Sequence, residues 1–189
     1  MDFRQQLDEH QAVTDGLRAV AQTAERIAAR MTASLKSGGM ILWFGNGGSA
    51  AQAQHFAAEL VGKYERERPG LASLALTADT SVLTSISNDY SYDQVFARQV
   101  RALCRDVDVA IGLSTSGNSP NVLLAIEAAQ ERGAFTAGLT GGDGGGLAPL
   151  ADDVIVVPSH RTSRIQESHL LLGHLLCGQV EVDAAAGGP

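Results

Sequence analysis

Apolar residues recur at helical spacing through the first 36 positions. Leu7, Val13, Leu17, Val20, Ile27, Met31 and Leu35 mark one stripe, set among Ala, Gln and Arg and interrupted only by Gly16. That period predicts one long helix or two joined helices. After Gly38-Gly39 the pattern changes to short apolar runs separated by amphipathic stretches. The runs at 40–44, 73–76, 107–113, 135–139 and 153–157 read as strands buried on both faces. Helical stretches follow most of them: 50–61, a pair within 80–103, 122–132, and a long last helix beginning near Ser163. Strand and helix alternating in this way predict an α/β three-layer sandwich with a central parallel sheet of about five strands. The reading divides the chain into an N-terminal helical arm (1–37), one α/β domain (38–184) and a flexible tail (185–189). The arm packs either on a partner subunit or on its own sheet; an arm that precedes the first strand favours the partner, and with it oligomer formation.

Composition narrows the function classes. The chain has 189 residues, enough for one well-buried core, and a formal net charge of −7. Such a balance opposes broad attraction to nucleic acid or to an anionic membrane surface. No apolar run approaches the length of a membrane span, and MDFRQQLDEHQ lacks the apolar core of a signal peptide, so a cytoplasmic location is expected. Cys104 and Cys177 each sit in an apolar run and read as buried free thiols.

Three stretches carry candidate chemistry, and ligands of parallel sheets gather at the carboxyl ends of strands. The first is Gly45-Asn46-Gly47-Gly48-Ser49-Ala50, where glycines allow close backbone approach and a helix start offers free amides. It fits the weak GxGxxA form of a dinucleotide fingerprint. The second strand, however, runs into Thr77-Ala78 without a ribose-binding acid, and Asp79 reads as a helix cap. The second stretch is Ser114-Thr115-Ser116-Gly117-Asn118-Ser119-Pro120. Here hydroxyls and free amides meet at a helix start, with Ser119 at the cap and Pro120 in the first turn, which makes a phosphate site built from neutral donors.

The third stretch pairs His55 and Glu59, one helical turn apart, with RIQESHLLLGH on the last helix. Gln166, Leu170 and His174 share a stripe there, while Glu167 and His169 read as solvated. A His/Glu pair facing a Gln/His pair suits a divalent metal such as zinc, or equally an acid and a base for proton transfer. Asn88-Asp89 either offers a carboxylate to sugar hydroxyls or simply stops a helix. The glycine run 140–146 reads as turn chemistry, and the basic residues of Ser159-His160-Arg161-Thr162 either neutralise phosphate or are solvated.

Taken in order, GNGGSAAQAQHFAAEL, TSISNDY, STSGNSPN, LTGGDGG and RIQESHLLLGH resemble the sugar-isomerase (SIS) family, and within it the phosphoheptose isomerases. The likeness runs from about residue 38 to 180. It implies a homotetramer that interconverts sedoheptulose 7-phosphate and its aldose isomer through an enediol, with no nucleotide cofactor. It implies Glu59 as the base and His174 as acid–base partner at the oxygens. Ser114, Thr115, Ser116 and Ser119 would hold the phosphate; Asn46, Gly47, Gly48, Asn88, Asp89 and Gln166 would contact the sugar. Zinc would be bound through His55, Glu59, Gln166 and His174. A related branch of tetrameric SIS proteins associates with a replication initiator without catalysis, and a sugar-phosphate sensor is a third reading. Retention of Glu59 and His174 favours the enzyme.

Overall fold

A computed structural model describes residues 2–186. The arm is two helices, α1 (Phe3–Gly16) and α2 (Ala21–Lys36), joined by a 3-10 turn at Leu17–Val20. The domain proper runs β1 (Ile41–Gly45), α3 (Gly48–Val61), β2 (Ser73–Ala75), α4 (Thr80–Asp89), α5 (Ala97–Leu103), β3 (Val109–Leu113), α6 (Pro120–Glu131), β4 (Phe135–Gly141), β5 (Asp153–Val157) and α7 (Thr162–Ala186). The last helix thus continues past the expected tail boundary at 185, and residues 187–189 lie outside the described part.

All five strands pair in parallel, in the order β2-β1-β3-β4-β5. Chain order reverses between β1 and β3, and this switch point opens the crevice where ligands of such sheets bind. Alternation along β1 divides the core. Ile41 and Trp43 join Ile27, Met31, Phe56, Leu172 and Leu176 on the face covered by α2, α3 and α7. Leu42 and Phe44 join Phe96, Val100, Val122 and Ile126 on the face covered by α5 and α6. Trp43 packs on Phe56 at 5.3 Å between ring centroids, and Phe44 on Phe96 at 5.8 Å.

The arm divides its labour. α2 buries Ile27, Ala28 and Met31 against the chain's own sheet, whereas α1 buries no side chain and leaves Phe3 and Leu7 exposed. A ring of polar contacts ties α1 to the start of α7. Arg161 pairs with Glu9 and donates to Gln6 Oε1 (2.8 Å), Arg164 donates to the Gln6 carbonyl (2.6 Å), and His10 Nδ1 meets Glu167 Oε2 (2.8 Å). Arg161 thus stays exposed, in line with the solvated reading of that loop, while pairing with α1.

Candidate active site

Gly45 ends β1, and a Cβ there would come within 2.7 Å of the Leu113 carbonyl on β3, so only glycine permits the two strand ends to run this close. Asn46 follows, and its amide exchanges two hydrogen bonds with the Asn121 amide at the start of α6 (2.8 and 2.9 Å). Tyr92 Oη also donates to Asn46 Oδ1 (3.0 Å), which brings the segment after α4 to the crevice. Gly47 then turns the chain with φ 56° and begins α3 without any side-chain cap. Ser49 N turns back to the Asn46 carbonyl (2.9 Å), and the other amides of this first turn offer donors to a ligand.

The serine loop lies across the switch point. Ser114 Oγ and Ser119 Oγ share a hydrogen bond of 2.9 Å. Ser119 does occupy the N-cap of α6, but its hydroxyl makes no cap hydrogen bond. The cap role expected for its side chain is thus replaced by a hydroxyl pair. The loop is braced from behind by the glycine run after β4: Gly146 N donates to Asn118 Oδ1 (2.9 Å) and Leu147 N to the Gly117 carbonyl (2.9 Å). Gly142, Gly144 and Gly145 all adopt positive φ, as a turn of this tightness requires. Ser116 is exposed, with its Oγ accepting from Asn118 N at 3.2 Å, and Thr115 is half-buried beside it.

His55 and Glu59 share a face of α3, with Nε2 and Oε1 3.2 Å apart. Across from them, His174 of α7 places its Nε2 2.8 Å from His55 Nε2. Ligand atoms of His55, Glu59 and His174 all lie within 4.8 Å of one another. Two imidazole nitrogens at this distance must share a proton or a common electrophile, and the added carboxylate makes a donor set that suits a divalent ion. Gln166, two turns up α7, sets its amide against the glycine loop; a Cβ on Gly48 would lie 2.7 Å from Gln166 Nε2.

Other expectations fare differently. Asn88 and Asp89 close α4 at the surface, where Asn88 Nδ2 donates to Asp89 Oδ1 (2.8 Å). Asp79 caps α4 as expected, accepting from Val82 N (3.0 Å). His169 is a correction: it is fully buried, and its Nε2 lies 3.1 Å from the Thr140 carbonyl of β4. Burial pulls its pKa down to about 4, against the opposing pull of that carbonyl. Glu167 is partly exposed, as expected, and is held by His10 and by Arg164 (2.6 Å). Cys177 is buried one turn beyond His174, and burial, reinforced by Glu59, pushes its thiol up to about 12. Cys104 is pushed up to about 11, mainly by burial, so both thiols are inert.

Sequence reasoning missed Asn121, Tyr92 and Tyr64. Tyr64 follows α3, stacks on His174 at 5.5 Å with 24° between planes, and is kept above its ordinary pKa by burial and by Glu65 and Glu59. An aromatic residue five positions after Glu59 was the available signal.

The SIS domain profile matches residues 7–141. The chain is 54% identical over 184 residues to a phosphoheptose isomerase of Paramagnetospirillum magneticum, covering 96% of this chain and 95% of that one. It is 56% identical over 174 residues to one of Thiobacillus denitrificans, covering 90% and 88%. Among solved structures, phosphoheptose isomerase from Neisseria gonorrhoeae superposes with a TM-score of 0.90 at 45% identity, over 95% of this chain and 96% of that one. A site built from a glycine turn, a braced serine loop and two facing helices, carried on this sheet order and shared with such relatives, means that the chain belongs to the SIS-domain family of phosphoheptose isomerases.

Proposed function

We propose that this chain interconverts sedoheptulose 7-phosphate and D-glycero-manno-heptose 7-phosphate. The observation that carries the reading is the convergence of Glu59 with His55 and His174 beside an anion loop of neutral donors. The phosphate sits against Ser114, Thr115, Ser116 and Ser119, where hydroxyls and the start of α6 attract an anion without a basic residue. The sugar extends toward Asn46, Gly47, Gly48 and Gln166, with Asn88 and Asp89 on the outer side.

Glu59 takes a proton from C1 of the ketose, and the electron pair of that C–H bond forms the C1–C2 double bond of an enediol. His174 delivers a proton to the C2 oxygen and accepts the one leaving the C1 oxygen. Glu59 then returns its proton to C2, which completes the aldose with no net loss of atoms or electrons. His55, Glu59, Gln166 and His174 would hold a zinc ion, whose Lewis acidity stabilises negative charge on the sugar oxygens. A carboxylate engaged by metal is a weaker base, so the two roles of Glu59 oppose each other. The apolar residues left uncovered on α1 and α7 support a homotetramer, and a charged sugar phosphate, which does not cross a bilayer unaided, supports a cytoplasmic location.

The test is direct. Purified protein with sedoheptulose 7-phosphate should produce the aldose signal by NMR. No turnover at any zinc content, with the fold intact by circular dichroism, would overturn the reading.

A further inference from the structure

The segment between α3 and β2 is organised around one buried ion pair that the proposed reaction does not use. Arg68 and Glu181 have side chains 4% and 1% exposed, and Arg68 Nε lies 3.1 Å from Glu181 Oε1. Arg68 also donates to four backbone carbonyls: through Nη2 to Glu59 (2.8 Å), and through Nη1 to Leu60 (2.8 Å), Gly62 (3.1 Å) and Pro69 (3.0 Å). Three of these belong to the end of α3, which carries no basic residue in its own last turn. Arg68 therefore returns from the loop to supply the cation and the donors that a helix C-terminus lacks.

Glu181 works from the other side. Its carboxylate accepts from the backbone N–H groups of Tyr64 (3.0 Å), Glu65 (2.8 Å) and Arg66 (2.8 Å). Burial alone would raise its pKa; those three donors and Arg68 outweigh that and leave the group below its ordinary value, so it is ionised. Glu181 lies two helical turns beyond His174 on the same side of α7. The Tyr64 whose amide it holds is the ring that stacks on His174.

We infer that Arg68 and Glu181 are positioning residues: the pair fixes the Glu59 end of α3 against α7 and sets the separation between Glu59, His55 and His174. Neither residue touches the reacting atoms. The inference rests on the isomerase reading for its kinetic consequence, but its geometric consequence stands apart from it. Groups that orient site residues from behind are worth about 10- to 100-fold in metal affinity or activity.

Two variants test this. The double substitution Arg68→Met with Glu181→Leu replaces the pair by apolar residues of similar volume, which preserves stability where a single loss would not. Arg68→Lys keeps the charge but loses the fork that reaches several carbonyls, and it serves should the double variant fail to fold. The expected result, with melting close to the parent, is kcat lowered about ten-fold or more with KM within about two-fold, and zinc affinity weakened by a similar factor. Crystals of the variant should show Tyr64 displaced from His174 and the His55–His174 contact opened. Parent-like kcat together with an unmoved Tyr64–His174 stack would overturn the inference. A parent that never turns over would sink the isomerase reading alone, and the crystallographic comparison would then decide this one.

Discussion

The proposed chemistry turns on Glu59. Its carboxylate stands one helical turn from His55 and faces His174, while the serine loop proposed to hold phosphate belongs to another element altogether. Glu59→Gln removes the base without touching that loop, so turnover should fall by about 100-fold or more. Sugar-phosphate binding by calorimetry should stay largely intact, and retained turnover would assign the base elsewhere. His169 offers a second experiment at this scale. Its folded-state pKa is pulled down to about 4 from the usual 6.5 by burial, so the unfolded chain takes up a proton first as pH falls. The stability due to neutral His169 is thus complete above about pH 6.5 and is lost progressively down to about pH 4, a change of about 3 kcal/mol. His169→Gln, which keeps a donor for the Thr140 carbonyl, should flatten the urea midpoint between pH 7 and pH 4.5 relative to the parent. Equal slopes in both proteins would contradict the assignment.

Elements bring these residues together only because two helices approach closely. Gly173 sits beside His174 on α7, and a Cβ there would overlap the Phe56 ring of α3. Phe56 has no room to retreat, being fully buried against Trp43. Gly173→Ala should destabilise the protein by about 1–3 kcal/mol through overpacking. Because the displaced helix carries His174, activity should fall further than stability; a melting curve beside a kcat measurement checks both. Much of this layer is legible in the sequence. Short apolar runs mark the strands within a residue or two, though the edge strand β2 is not buried on both faces, with Leu74 40% exposed, and the glycine and serine motifs fall at strand ends as expected. What failed was orientation about the last helix. α7 has apolar residues around most of its circumference, so periodicity does not tell which side meets the sheet, and the solvated reading fails for His169. Ser119 falls at the helix start as expected, yet its hydroxyl turns to Ser114, a partner that local capping rules do not include. The Arg68–Glu181 pair and the Asn46–Asn121 amide exchange join segments distant in sequence, and no local pattern announces them.

The whole molecule leaves an apolar seam uncovered. A groove of about 510 Å³ runs between the arm and α7, lined by Leu17, Ala24, Ala28, Leu171 and Leu175 among others. Leu175 is 58% exposed, and Phe3 and Leu7 of α1 are also largely open to solvent. Such a surface suits burial against further copies of the chain. Leu175→Arg should lower the mass seen by light scattering, and an unchanged assembly would place the interface elsewhere.

His55 and His174 touch although 119 positions separate them, and that separation sets a timetable for synthesis. A ribosome delivers the glycine turn, the serine loop and all five strands before α7 emerges. A chain released before that helix would lack His174 and, with it, the core residues Leu172, Leu176 and Val180. The proposed site is therefore complete only when the last helix docks, the same event that completes the core on that face of the sheet.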